Sequence, residues 1–481
     1  MNNYYSHPDV RARMLEFLGG DTLSEATCQY LTAGDTKESR HRQPRPVAAL
    51  PAFWENNLDI SRSLWDRESL IIHLDVEYVN FDFPGEPYLA PERIFDLQRA
   101  VELVIEAVLL DYDIVPLHLL SGRGHHFVWR IRQNSRAFGS LAKLGRVPPT
   151  LKKLNAQPHR PNGESVIPKL GAAFAGLGLV MEYLAHRIKK AATPTSALPV
   201  KLTAVEVGPS RSGREMISID ISEYGDPLSA RVIRVPFSYY LKPWQQRGIL
   251  GEEMVEKLPP AFLIPLHEMD SRRDFHVMHD ISQVIDLAGR ASAKIPDQTR
   301  ATNNLICAYQ ESSLKAFHDW FYSEEPESPE KWPRTYDQMP LERLPFCVRH
   351  ILEHPNDLLL RPASVERIVR VLLSLGWHPR HVAGLIRSRF ERDFQWGDRW
   401  KDYDAANRAD FYTRLFAGLL VTGCEDLVDF NCQSAKEEKL CFATDCPFNL
   451  EQYKTSLLNR RTYERLACRP FNRLFLPEEH L

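Results

Sequence analysis

The chain has 481 residues, 43% of them hydrophobic and 26% charged, with a net charge of −3. That length exceeds what one hydrophobic core usually organises, so two or three domains are expected. The composition excludes more than it identifies. No apolar stretch approaches the ~18 residues of a membrane span, and the opening Met-Asn-Asn-Tyr-Tyr-Ser-His lacks the charged-then-apolar layout of an export signal. A cytoplasmic or nucleoid-associated protein with no membrane contact is the expectation. The near-neutral balance gives no global electrostatic case for nucleic acid. Local basic clusters at Lys152–Arg160, Arg187–Lys190 and Arg211–Arg214 read equally well as solvated faces.

Residues 1–65 are mixed, with a Pro- and Arg-rich loop over His41–Pro46, and are taken as an extension of the domain that follows. Residues 69–83 and 113–131 read as strands. Between them Pro91–Leu110 is an amphipathic helix: Ile94, Leu97, Val101, Val104, Ile105 and Val108 recur at helical spacing, and proline suits its first turn. Residues 169–192 form a second helix, 202–208 and 215–222 alternate like strands, and Arg231–Pro236 is another short strand. These elements make a domain over 66–255. From 262 to 322 the pattern is helical, and Glu324–Glu330, rich in Glu, Pro and Ser, looks like an exposed linker within a connecting region 256–340. Residues 341–481 read as mostly helical, including Ser364–Leu375 and Pro379–Phe390.

Three short segments carry chemistry. In His73-Leu-Asp75-Val-Glu77 two carboxylates follow the apolar run Leu70, Ile71, Ile72 and Leu74. Residues i and i+2 of a strand point to one side, so both carboxylates face one site. Such a pair is often just a solvated strand edge. In the right company it can hold two divalent ions ~3.5–4 Å apart, which activate an attacking 3′-hydroxyl and stabilise leaving pyrophosphate. In Ser121-Gly-Arg-Gly-His-His126-Phe the glycines let backbone N–H groups approach phosphate oxygens. Ser121, Arg123 and His126 add a hydroxyl, a bidentate cation and an imidazole donor. The plain alternative is a hairpin turn with a half-buried histidine. In Ile-Ser-Ile-Asp220 a third carboxylate ends a second strand-like run.

Together these segments resemble the archaeo-eukaryotic primase superfamily, whose pattern is Asp-x-Asp or Asp-x-Glu, a Ser/Gly/His turn, then a hydrophobic residue with Asp. The run Arg231-Val-Ile-Arg234-Val-Pro-Phe-Ser238 resembles the stretch after the third motif in small catalytic primase subunits. The resemblance implies an RRM-like sheet with a second α/β half. It implies Mg²⁺ or Mn²⁺ on Asp75, Glu77 and Asp220, and contact with the incoming triphosphate by Ser121, His126 and Arg234, with Arg123 a further candidate. His126 is preferred to His125 because the family's histidine is followed directly by a strand, here Phe127-Val-Trp. The implied partners are a single-stranded DNA template, NTPs or dNTPs, and a helicase or other replication protein.

Of eight cysteines, Cys28 and Cys307 are isolated, whereas Cys424, Cys432, Cys441, Cys446 and Cys468 crowd the C-terminal end and Cys347 precedes them. In a chain expected to be cytosolic this pattern reads as metal or cluster ligation before disulfides. One distant cysteine and three close ones resemble the iron–sulfur domain at the C-terminus of the large primase subunit. That implies a [4Fe–4S] cluster on Cys347, Cys432, Cys441 and Cys446, whose assembly contributes to folding. Cys424 could replace Cys432, and Cys468 could replace Cys441. Zn²⁺ on four thiolates, or unligated cysteines packed as small hydrophobes, are the rivals. The related domain holds template and the first triphosphate, and Arg349, His350, Arg361, Arg367 and Arg370 are candidates for that here.

The expected fold class is α+β, a primase-like catalytic core followed by a helical iron–sulfur domain. The expected activity is de novo primer synthesis by a single-chain primase or primase-polymerase. A primer-extending repair polymerase of the same superfamily and a non-catalytic nucleic-acid-binding module are the other readings.

Overall fold

The computed structural model describes residues 4–36, 43–159, 161–203, 214–392, 394, 396–397, 400, 402–443 and 445–460. In chain order its strands are β1 (Leu31–Gly34), β2 (Asp59–Ser63), β3 (Ser69–Asn80), β4 (Leu117–Ser121), β5 (Gly124–Arg132), β6 (Val200–Leu202), β7 (Glu215–Asp220), β8 (Val232–Arg234) and β9 (Ile264–Pro265). The molecule is α+β. A six-stranded sheet runs in the order β6-β7-β3-β5-β4-β9, antiparallel except for β6 against β7, and a small antiparallel sheet runs β1-β2-β8.

β3 is central and explains its own sequence. Ser69–Leu74 is buried, and Leu70, Ile71 and Ile72 are apolar in succession. His73, Asp75 and Glu77 are polar where one face opens into a cleft. The strand stops at Asn80, short of residue 83, because the Asn80 Oδ1 accepts from the N–H groups of Asp82 and Phe83, both at 2.9 Å, and turns the chain. The 113–131 segment is two strands, since Gly122 and Arg123 form a two-residue loop between β4 and β5.

The helix Pro91–Leu110 forms as its spacing predicts, with Pro91 in the first turn. With Thr299–Gln310 it covers one face of the larger sheet. Phe95 packs on His125, and Trp129 Nε1 donates to Thr302 Oγ1 at 3.1 Å. The helix Pro168–Ala192 packs against both. The expected helical run 262–322 begins with β9 and continues as Ile281–Arg290, Thr299–Gln310 and Ser313–Phe321. Residues 1–65 are integral: they supply β1 and β2, and the helix Pro8–Leu18 packs on Ile281–Arg290. Past Glu324 and Glu325, which are exposed, Trp332 and Tyr336 turn inward. The Tyr336 hydroxyl lies where a Cβ on Gly384 would be, so only glycine lets the Pro379–Phe390 helix sit there.

Pro362–Ser374, Pro379–Phe390 and Ala405–Val421 pack together, and the last of these lies against the sheet-bearing half. Asn407 Nδ2 donates to the Gly225 carbonyl at 2.7 Å, and Arg414 Nε meets Glu182 Oε2 at 2.9 Å. Among the described residues the apolar side chains form one continuous core. None of the described helices is long and apolar enough to cross a membrane.

Candidate active site

Register assembles the site. Asp75 is paired with Asp220 on β7 and with His126 on β5, so the three lie side by side across three strands. Glu77 is two residues along, opposite Gly124 and Ser218, and His73 precedes Asp75 by two. Alternation therefore sets His73, Asp75, Glu77, His126 and Asp220 on one face, and places His125 on the other.

That face opens into a cleft of about 670 Å³ between the two sheets. Asp75, Glu77, Ser121, His126, Asp220 and Arg234 all line it. Across it stand Ser61 of β2, Val232–Arg234 of β8, and Tyr240 and Lys242 from the segment after β8. Arg234 reaches the wall by a bidentate pair with Asp59, at 2.7 and 2.9 Å, and by stacking over Tyr240. Arg123, in the hairpin loop, is ion-paired to Glu77, and Lys242 Nζ lies 3.4 Å from the other Glu77 oxygen. Ser121 is buried, and its hydroxyl donates back to the Gly124 carbonyl at 3.2 Å.

The carboxylates differ in proton affinity. Burial and the neighbouring Glu77 charge raise Asp75 well above its ordinary range. Asp220 is raised by burial, although Ser222 N–H, 2.8 Å from its Oδ1, pulls the other way. Burial also acts on Glu77, but Arg123 and Lys242 outweigh it and hold that carboxyl at about 2. Lys242 is brought down to about 8 by burial and Arg123. The Asp75 Oδ1 is buried and accepts no hydrogen bond. A hard oxygen left unpaired beside a second proton-hungry carboxylate suits a divalent cation.

Two groups that the sequence motifs did not flag complete the site. His73 Nδ1 lies 2.9 Å from Glu223 Oε2, and His73 Nε2 lies 2.7 Å from His126 Nδ1. Burial opposes charge on His73, yet Glu223 raises it overall, while burial and His73 push His126 well down. The consistent assignment is a cationic His73 donating to both neighbours and a neutral His126 carrying its hydrogen on Nε2. His73 was legible as the first member of the 73, 75, 77 series. Nothing local marked Glu223, Asp59 or Lys242.

The cysteines lie elsewhere. Cys347, near the start of the Phe346–Glu353 helix, is pushed up to about 11 by burial, and the charges of Cys441 and Cys432 act on it in the same direction. Tyr453 feels both Cys446 and Cys347, but no three of these thiols lie within 4.8 Å of one another. Cys424 is apart, its thiol 3.9 Å from the His186 carbonyl, and Cys468 lies outside the described residues. Arg367 and Arg370 are buried and ion-paired, to Glu438 and to Glu366 with Asp429, so they serve the fold and not a surface. Arg349 pairs with Glu353 along its own helix.

No protein-family model, curated protein or solved structure matches the chain.

Proposed function

We propose that this chain is a template-dependent DNA primase, or primase-polymerase, that joins nucleotides in the cleft between the two sheets. The observation that carries the reading is the row Asp220, Asp75 and His126 across three strands, with Glu77 beside it and Lys242, Arg123 and Arg234 around it. Asp75 and Asp220, with Glu77, would hold Mg²⁺ or Mn²⁺, which supplies charge neutralisation and activation of the attacking hydroxyl.

The chain's own groups do the positioning. His126 Nε2–H is a donor for a phosphate oxygen, fixed in that tautomer by His73 and Glu223. Arg123 and Lys242 neutralise Glu77 in the free protein. An incoming triphosphate competes for both cations, so its arrival frees Glu77 to turn toward Asp75 and Asp220. Catalysis of this kind rests on placement and charge, not on covalent chemistry with the protein. The C-terminal thiols are proposed to hold a [4Fe–4S] cluster, with Zn²⁺ as the rival, in a helical region that would steady the template and first nucleotide.

The test is synthesis on unprimed single-stranded DNA with Mg²⁺ or Mn²⁺ and labelled nucleotides. Wild type is expected to make short products, and Asp75→Ala to make none while melting at the same temperature or higher, since it removes a repelling buried charge. Products from Asp75→Ala would overturn the site. Extension of an annealed primer without any start on bare template would make the chain a primer-extending polymerase.

A further inference from the structure

The buried side of the Pro91–Leu110 helix carries a carboxylate, Glu102, whose side chain has no exposure. It meets two imidazoles. Alternation along β4 and β5 puts His118 and His125 on the covered face of the sheet, opposite to Asp75 and His126. One ligand atom from each of Glu102, His118 and His125 lies within 4.8 Å of the others, and among the described residues no other trio of His, Cys, Asp or Glu does so.

Glu102 and His125 each keep one buried atom with no hydrogen bond. Glu102 Oε1 accepts no hydrogen bond, although Arg99 Nη1 lies 2.9 Å away outside hydrogen-bonding geometry. His125 is 1% exposed, and its Nε2 has no partner. Buried polar atoms are nearly always paired, so an unpartnered imidazole nitrogen in a buried trio of this composition calls for a ligand. His118 Nε2 and His125 Nδ1 are 3.0 Å apart, a few tenths of an ångström short of the ~3.3 Å that separates two nitrogens on one tetrahedral ion.

The surroundings are those of a metal site. Glu106 Oε1 lies 3.4 Å from His118 Nδ1, the nitrogen turned away from His125. Metal-bound histidines are commonly oriented by such a carboxylate. The Ser271 hydroxyl donates to Glu102 Oε2 at 2.6 Å, leaving Oε1 for the ion.

We infer that Glu102, His118 and His125 bind a first-row transition ion, zinc being the best match, between the Pro91–Leu110 helix and the β4–β5 hairpin. Two imidazoles with one carboxylate favour zinc over magnesium or calcium. The ion ties the helix to the hairpin whose other side presents Ser121 and His126. The assignment is independent of the reaction proposed for the cleft.

The full-length protein, stripped of metal and titrated with Co²⁺ in excess Mg²⁺, tests this. Cobalt on imidazole and carboxylate gives visible d–d bands without the strong near-ultraviolet charge transfer of thiolate-bound cobalt. Wild type should take up one thiolate-free equivalent. The near-isosteric Glu102→Gln and, separately, His118→Gln should each lose it, while thiolate bands stay unchanged. Glu106→Gln should weaken it by roughly 10–100-fold. No thiolate-free cobalt in wild type, or full retention by a folded Glu102→Gln, would overturn the assignment.

Discussion

His73 and His126 share one hydrogen across 2.7 Å, and Glu223 decides where the charge rests. Glu223 raises His73, so the cationic form persists to higher pH than in a free imidazole. Glu223→Gln removes that support and lowers the His73 pKa. If protonated His73 is what keeps His126 in its donor tautomer, activity falls as pH rises through the His73 pKa. In Glu223→Gln that limb should then move to lower pH, with a raised nucleotide KM. An unmoved limb would mean that Glu223 serves only the fold. At this scale the sequence was informative. Asp75, Glu77, Ser121, His126, Asp220 and Arg234, singled out by their motifs and the family resemblance, all line one cleft. It was silent where a role depends on a distant partner, as for Glu223 beside His73 and Asp59 beneath Arg234.

The β4–β5 hairpin is the element on which the site depends, and packing gives its glycines a reason of its own. A Cβ on Gly124 would lie 1.9 Å from the Val76 carbonyl oxygen, and one on Gly122 would strike the Tyr240 ring at 2.6 Å. Both positions are small because neighbouring chain occupies the space. Gly124→Ala should therefore push β5 from β3 beside Asp75, costing about 1–3 kcal/mol and lowering nucleotide affinity. Gly139→Ala, in the Arg136–Leu144 helix with nothing within 4 Å, should stabilise by roughly 0.5–1 kcal/mol. Denaturant midpoints of the two variants are the measurement, and equal shifts would refute the packing argument. Helix boundaries such as Pro91–Leu110 were readable because periodicity and a proline start are local signals. The break within 113–131 was not, since apolar residues continue on both sides of a two-residue turn.

Across the whole molecule, buried ion pairs join stretches that are far apart in sequence. Glu182 in the Pro168–Ala192 helix meets Arg414 at 2.9 Å and His318 Nε2 at 3.0 Å. Lys201 of β6 meets Asp429 at 3.0 Å. Burial pushes Glu182 up, but Arg414 and His318 outweigh it and hold it at about 2, below its ordinary 4.5. Its contribution is thus present above pH 4.5 and is lost as pH falls toward 2, a loss on the order of 3 kcal/mol. His186, brought from 6.5 to about 4 by burial, adds to the loss, because between those values the unfolded chain takes a proton that the fold refuses. Melting temperature should therefore drop steadily from pH 6.5 to 4 and further below. A flat profile over the upper window would contradict the burial of His186. Glu182→Gln should shrink the lower limb, which Glu77 and other low carboxyls share, at the expense of stability near neutrality, where it leaves Arg414 buried without its carboxylate.

Strand and helix periods, the proline starts and the spacing of the acidic, glycine and histidine residues are properties of short stretches, and the sequence alone determined them. It thereby determined the α+β class and six of the residues that meet in the cleft. The register of β3 against β5 put His126, the histidine preferred from the sequence, beside the carboxylates and His125 on the other face. The tertiary structure alone showed that β2 joins β8 in the opposite wall, that Arg367 and Arg370 are interior, and that Glu102 meets His118 and His125. Each of those facts depends on strand register or on packing between segments distant along the chain, and a linear pattern carries no record of either.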